Sequence, residues 1–166
     1  MFQVITSVKQ LNFGQLCNVY ADELIRAGKL NYPNLNPNMQ LLEAEQDFYY
    51  FLKSFLRKMN EYCFVWQVDG MYQSALRIEP YKDGVILTGL QTAPESRRSG
   101  YAKALLASTL AYLSDAGITQ VYSHIRNDNI PSINLHLTAG FLKISDYAAY
   151  IDGSVDHRSA TYLKHT

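Results

Sequence analysis

The chain has 166 residues, 48% of them hydrophobic and 18% charged, with 15 Lys plus Arg balancing 15 Asp plus Glu. That length suits one domain over residues 1–166, and the apolar share excludes a disordered chain. Charge neutrality argues against a nucleic-acid binder that works by neutralising many phosphates.

Residues 2–8 alternate weakly around Val4, Ile5 and Val8 and read as a first strand. From Leu11 to Ala27, the residues Leu16, Val19, Tyr20 and Leu24 recur at helical spacing, and Gly28 stands where a helix C-cap is expected. The Asn- and Pro-rich run 30–38 reads as a loop. A second helix carries Leu41, Ala44, Phe48, Leu52, Phe55 and Met59 on one face, a stripe that belongs to a core. Strands follow over 62–68, 72–78 and 85–90, with Asp69-Gly70 and Asp83-Gly84 between them. Asp-Gly suits tight hairpins, so these three strands form an antiparallel meander.

Next comes a helix with Ala102, Leu105, Leu106, Leu110 and Leu113 on one side, closed by Gly117. Residues 118–125 return to strand, 132–139 form a short helix ended by Gly140, and strands 141–151 and 159–163 meet around Asp152-Gly153. Strand 85–90, its helix and strand 118–125 make one βαβ unit, so those two strands run parallel. The fold class is α/β (α+β), with a mixed sheet and helices on both faces.

Cys17 and Cys63 form no CxxC and have no His at zinc spacing, so no metal site is expected. Two buried thiols fit a reducing, cytoplasmic setting. The N-terminus lacks a basic region before an apolar core, and no run nears the ~18 apolar residues of a membrane span.

Chemistry concentrates in Leu90-Gln-Thr-Ala-Pro-Glu-Ser-Arg-Arg-Ser-Gly-Tyr-Ala-Lys103. A strand ends, Pro94 stops its ladder, and a basic loop of small residues opens a helix. Helix starts carry unpaired N–H groups and partial positive charge, and Ser99, Gly100 and Ala102 let an anion approach that backbone. Arg97, Arg98 and Lys103 add full charges, which is what a pyrophosphate needs. Neither GxxxxGK[ST] nor GxGxxG occurs, so this is not a Walker or a dinucleotide loop.

Arg97-x-x-Gly100-x-Ala102 resembles the acetyl-CoA signature of the GNAT N-acetyltransferases, R/Q-x-x-G-x-G/A. Asn129-Ile-Pro-Ser132-Ile-Asn-Leu135-His136-Leu-Thr-Ala-Gly140-Phe141 is similar to the family's later block, N-x-x-A/S-x-x-L-Y-x-x-x-G-F. The resemblance implies a mixed, mostly antiparallel twisted sheet of about seven strands, splayed between the fourth and fifth. It implies acetyl-CoA as cofactor, its pantetheine arm in the splay. Backbone groups of Leu90, Gln91 and Thr92 would pair with that arm, one N–H polarising the thioester carbonyl. The amides of Arg98, Ser99, Gly100, Tyr101 and Ala102 would hold the pyrophosphate, and Arg97 or Lys103 would reach a phosphate rather than a protein carboxylate. Asn129 would contact the cofactor or orient its amide, or else serve the helix turn; Ser132, in the same block, is expected to bind the cofactor.

Direct attack of an amine on the thioester needs a base and an acid. The family often places Tyr where His136 stands, so His136 is expected to protonate the thiolate or contact its sulfur; the alternative is a His that packs on the cofactor. Many members carry a Glu on the fourth strand, and Val85–Leu90 has none. His124, near the end of the fifth strand, is then the expected base. Glu79 and Glu45 read first as surface charges, and a chain of waters is a further alternative. Tyr32, Tyr49, Tyr72, Tyr147 and Tyr150 are expected around an acceptor pocket for a small primary amine. The other readings are a CoA-binding regulator without catalysis and an enzyme for protein N-termini or lysines. A homodimer through the final hairpin is expected by the same resemblance, with neither nucleic acid nor membrane as partner.

Overall fold

A computed structural model describes the whole chain, Met1 to Thr166. β1 (Phe2–Ile5) leads through three helices, α1 (Phe13–Val19), α2 (Ala21–Asn31) and α3 (Pro37–Phe55), to the meander β2 (Tyr62–Val68), β3 (Met71–Tyr81) and β4 (Gly84–Thr92). Then come α4 (Tyr101–Asp115), β5 (Gln120–Arg126), α5 (Ile130–Thr138), β6 (Leu142–Ser145), the short pair β7 (Ala148–Ala149) and β8 (Val155–Asp156), and β9 (Ser159–His165). Seven strands form one sheet in the order β1-β2-β3-β4-β5-β9-β6. Within it β4 and β5 run parallel and the remaining neighbours antiparallel.

Strand alternation sends side chains to two separate cores. On one face Ile5, Cys63, Val65 and Ala75 pack with Leu16, Leu24, Ala44 and Leu52 of α1–α3. On the other Phe64, Leu76, Ile78, Leu87 and Val121 pack with Leu105, Leu106 and Leu113 of α4. Leu16, Leu52, Leu105 and Leu106 are all 0% exposed, each burial stabilising by roughly 1.5–3 kcal/mol. The meander and the parallel βαβ unit match the expectation from periodicity and turn chemistry. Asp69 and Gly70 both take positive φ, as a tight hairpin asks.

Elsewhere the structure corrects the sequence reading. The helix expected over 11–27 is two helices, because Tyr20 leaves helical geometry (φ −97°, ψ 15°) between α1 and α2. Gly28 is no C-cap. It sits inside α2, where a Cβ would lie 2.4 Å from the Gln40 carbonyl oxygen of α3. The loop expected at 30–38 shrinks accordingly, since α2 runs to Asn31 and α3 begins at Pro37 under an Asn36 cap. Met59 lies beyond α3 and is exposed. The turn between β3 and β4 falls on Lys82 and Asp83 rather than Asp83-Gly84, with Tyr81 and Gly84 paired across it.

The strand expected at 141–151 is also two: β6 pairs with β9, and β7 turns away to pair with β8. β9 is therefore interior, between β5 and β6, and it is β6 that forms the edge where the final hairpin was expected to. No helix is long and apolar enough to cross a membrane.

The Gly28 contact yields a prediction. Gly28→Ala should lower unfolding free energy by about 1–3 kcal/mol, because the clash is with backbone that cannot swing away. Gly14→Ala, whose Cβ would meet only Asn12 Oδ1 at 3.8 Å, should be neutral or slightly stabilising. Urea unfolding of both variants checks the contrast.

Candidate active site

β4 and β5 are paired only at Val85–Val121, Ile86–Tyr122 and Leu87–Ser123. Beyond Leu87 they diverge, while each keeps its other neighbour: β4 pairs with β3 as far as Thr92–Ser74, and β5 with β9 as far as Arg126–Ser159. The β3 register shifts between Ala75 and Arg77, and opposite it Gly89 takes φ 59°. A Cβ at Gly89 would lie 2.6 Å from Arg77 Nη2, so the conformation favours glycine and any side chain there would displace the guanidinium.

Backbone groups alternate sides along a strand. The Ala93 N–H bonds the Gln73 carbonyl, and the Ser74 hydroxyl donates to the Gln91 carbonyl at 2.6 Å, so Ala93 and Gln91 face β3. Leu90 and Thr92 therefore turn their backbone groups toward the gap, and Gln91 does not.

The gap opens a groove of about 610 Å³. Its walls are Thr88 to Gln91 of β4 and Ser123 to Arg126 of β5; Asn129, Ser132 and His136 come from α5, and Tyr150 to Asp152 from the β7–β8 connection. Glu79 and Tyr81 of β3 and Glu23 and Arg26 of α2 complete it. Of the expected site residues, Leu90, Gln91, His124, Asn129, Ser132 and His136 thus meet in one place. Thr92 does not line it, and its hydroxyl reaches Ser74 at 3.3 Å.

His124 stands edge-on between the rings of Tyr81 and Tyr150, at centroid distances of 5.3 and 5.2 Å. Its Nε2 is buried without a hydrogen-bond partner. Burial, and then the Lys82 charge, lower its pKa and favour the neutral ring. His136 is 2% exposed and packs on Phe141, with Nδ1 at 2.8 Å from the Ser132 carbonyl oxygen. A carbonyl only accepts, so Nδ1 carries the proton and Nε2 presents a lone pair, also without partner. Burial lowers this pKa too, outweighing the Ser132 bond. A neutral ring whose single proton is committed to a carbonyl is poorly built to donate one, which corrects the acid role expected of His136. Glu79 is half-buried rather than a surface charge; burial first and Glu61 second raise its pKa. Asn129 Oδ1 accepts the Ser132 N–H, so it caps α5 while lining the groove.

The helix start expected to bind phosphate lies outside the groove walls. Arg98 and Gly100 take positive φ (64° and 83°), and Gly100 leads into α4 without a side-chain cap. The first-turn N–H groups of Tyr101, Ala102 and Lys103 thus have no intrahelical partner. Arg98, Ser99, Gly100 and Lys103 are exposed. Arg97 differs from expectation: its Nη2 lies 2.6 Å from Asp22 Oδ2, a protein carboxylate on α2. Of the five tyrosines expected at a pocket, only Tyr150 lines the groove. Tyr72 is core, Tyr32 bonds Asp47, Tyr49 packs on Phe13, and Tyr147 stands beside His157.

A family model described as the acetyltransferase (GNAT) family matches residues 30–141, well over half of the chain. The chain belongs to the GNAT acetyltransferase family. No curated protein matches the sequence. Among solved structures it is similar to a PaiA N-acetyltransferase from Thermoplasma acidophilum in complex with coenzyme A, at 13% identity and TM-score 0.69 over 100% of this chain and 99% of that one. It is similar also to the ribosomal-protein-S18-alanine N-acetyltransferase of Escherichia coli, at 17% identity and TM-score 0.65 over 99% and 94%. A third is an IAA acetyltransferase from Bacillus cereus, at 11% identity and TM-score 0.64 over 100% and 99%. At these identities the likeness is one of fold.

As a GNAT, the protein is an acyltransferase that uses acetyl-CoA. The residues present fit that cofactor. The open β4 edge offers amide pairing, the uncapped start of α4 offers free N–H groups, and His124 and His136, each with an unpartnered Nε2, line the groove. Reasoning from the sequence missed Glu23, Arg26, Tyr81, Ile151 and Asp152, since tertiary packing alone brings α2 and the β7–β8 turn to the splay.

The two depressed imidazoles predict an acid-sensitive fold. The unfolded chain binds protons near pH 6.5 while the folded one resists, so their stabilising contribution is complete above that value and is lost as pH falls toward the lowered folded pKa. His136→Asn should shrink the drop in Tm between about pH 7.5 and about pH 5.5. Thermal melts at the two values measure it.

Proposed function

We propose that this enzyme acetylates a primary amine of a small molecule by direct attack on the thioester, with His124 taking the proton from the amine. The observation that carries the assignment is the buried, unpartnered Nε2 of His124 in the groove, on a ring kept neutral by burial. With Nδ1 protonated, Nε2 presents a lone pair where the splay admits the amine. A base held unprotonated at neutral pH suits this task.

Acetyl-CoA supplies the activated acyl carbon. The backbone groups of Leu90 and Thr92 would hold its arm, and one of their N–H groups would stabilise negative charge on the carbonyl oxygen. Gln91, whose carbonyl is bound by Ser74, would contribute its side chain only. Arg98, Ser99, Gly100, Tyr101 and Ala102 would bind the pyrophosphate through backbone N–H groups, with Lys103 adding charge. Arg97 joins them only by leaving Asp22. Ser132, Asn129 and His136 would wall the thiol side. Glu79, half-buried in the same groove, would draw the positively charged amine inward in its ionised form, which Arg77 and Lys58 favour against the burial that opposes it.

A small acceptor is favoured over a protein by the covering of the groove. Tyr150, Ile151 and Asp152 flank one side and Glu23 and Arg26 another, which makes a half-open groove rather than a flat strip for a chain. Thiol release from acetyl-CoA with an amine panel tests the activity. His124→Asn should lower kcat by about 100-fold or more with CoA affinity unchanged. In the wild type, kcat/KM should fall with acidity only below the ordinary imidazole value of 6.5. Unchanged turnover in the variant, with the same acidic limb, would remove His124 from the reaction.

A further inference from the structure

A second cavity, of about 240 Å³, lies between α2 and α3 on the same face of the sheet as His124 and Glu79. At its floor is Arg77, whose guanidinium carbon lies 5.5 Å from the ring centroid of Tyr20 and 5.1 Å from that of Phe51. Two aromatic faces hold the group flat. They do not satisfy its donors: Nε and Nη1 are buried with no hydrogen-bond partner, and Arg77 takes part in none of the ion pairs. A buried, unpaired guanidinium is costly, and such groups are normally paired in folded proteins. The fold nonetheless keeps Arg77 in place through a register shift in β3 and a glycine opposite it.

The cavity shares a wall with the groove. Glu23 lines both, and Gly89, which lines the groove, lies against the Arg77 guanidinium. Arg77 and Glu79 stand two residues apart on β3 with side chains on the same face, ~7 Å along the strand. An anion seated on Arg77 would therefore lie on the sheet face that also carries Glu79.

We propose that Arg77 is the recognition group for a carboxylate on the acceptor, so that the enzyme acts on amines that also carry a carboxylate. Nη1 and Nη2 form one edge of a planar guanidinium, the shape that matches a carboxylate through two parallel hydrogen bonds. Tyr20, Phe48 and Phe51 supply apolar walls, while Glu23 and Asp47 repel an acceptor with excess negative charge and suit a zwitterion. The acceptor's place in catalysis rests on the acetyl-transfer reading above; the anion site itself rests on Arg77 alone.

The test uses the twenty common amino acids, β-alanine and 4-aminobutyrate, each beside its carboxamide, in thiol-release and thermal-shift assays. The best carboxylate should exceed its amide at least ten-fold in kcat/KM, and Arg77→Met should reduce that ratio to near one while Arg77→Lys restores part of it. Free of ligand, Arg77→Met should melt at or above the wild-type temperature, because it removes an unpaired buried charge. Carboxylates that raise the wild-type Tm but not that of Arg77→Met, with no amine turned over, would sustain the anion site and sink the reading of the acceptor as a small amine. Equal response to acids and amides, or a destabilised Arg77→Met with selectivity intact, would overturn the proposal and leave Arg77 as a packing residue.

Discussion

Backbone pairing between β4 and β5 stops after Leu87 and Ser123, and every feature of the groove descends from that stop. Neither strand is left loose by it. β4 stays bonded to β3 through Thr92, and β5 stays bonded to β9 through Arg126. The end of β5 is further fixed by the Asn127 N–H on the Arg158 carbonyl. What remains open is one edge of each strand, a row of donors and acceptors that would cost about 1–3 kcal/mol apiece if sealed away unpaired. An open cleft avoids that cost, because water or an extended amide chain can pair there. The sheet stays stable with a strand-sized slot in it.

The sequence makes some of this legible and hides the rest for identifiable reasons. Asp69-Gly70, the Gly117 and Gly140 helix ends and the basic start of α4 are local signals, written in neighbouring residues, and they locate both the meander and the parallel crossover. Gly28 misleads because a glycine late in a helical pattern looks the same whether it ends the helix or admits a neighbour. Only the position of Gln40 on α3 tells the two apart. Arg97 misleads likewise, since its partner Asp22 is distant in sequence. Glu79 sits beside Pro80 with every outward sign of a surface charge. It is the groove and Glu61 that change its character. The Arg77 guanidinium carries no motif at all.

Electrostatics follow from where the slot cuts the molecule. Inside it, burial works in opposite directions on different groups: it keeps His124 and His136 neutral and pushes the Glu79 carboxyl toward its protonated form. Outside the groove the Asp156 carboxyl goes the other way, down to about 2, through hydrogen bonds from Arg158. The groove thus holds two neutral imidazoles among the charged side chains of Glu23, Arg26, Arg126 and Asp152. That is the arrangement in which a neutral base persists at ordinary pH and a positive amine is still drawn in.

The period of the strands then decides which group meets which reactant. On β5, Val121 and Ile125 belong to the α4 core, so Tyr122 and His124 face the side of α1–α3 with Tyr81. His136, on α5, packs with Phe141 of the α4 core. The two imidazoles consequently approach the groove from opposite faces of one sheet, and the splay is the place where those faces communicate. A slip of β5 by one residue would put Ser123 or Ile125 where His124 stands and turn the imidazole toward the α4 core. Seven consecutive pairs with β9, from Gln120–His165 to Arg126–Ser159, hold β5 against such a slip. The strand that carries the proposed base is therefore fixed by its partner on the side away from the slot, which lets the slot itself remain free of backbone pairing.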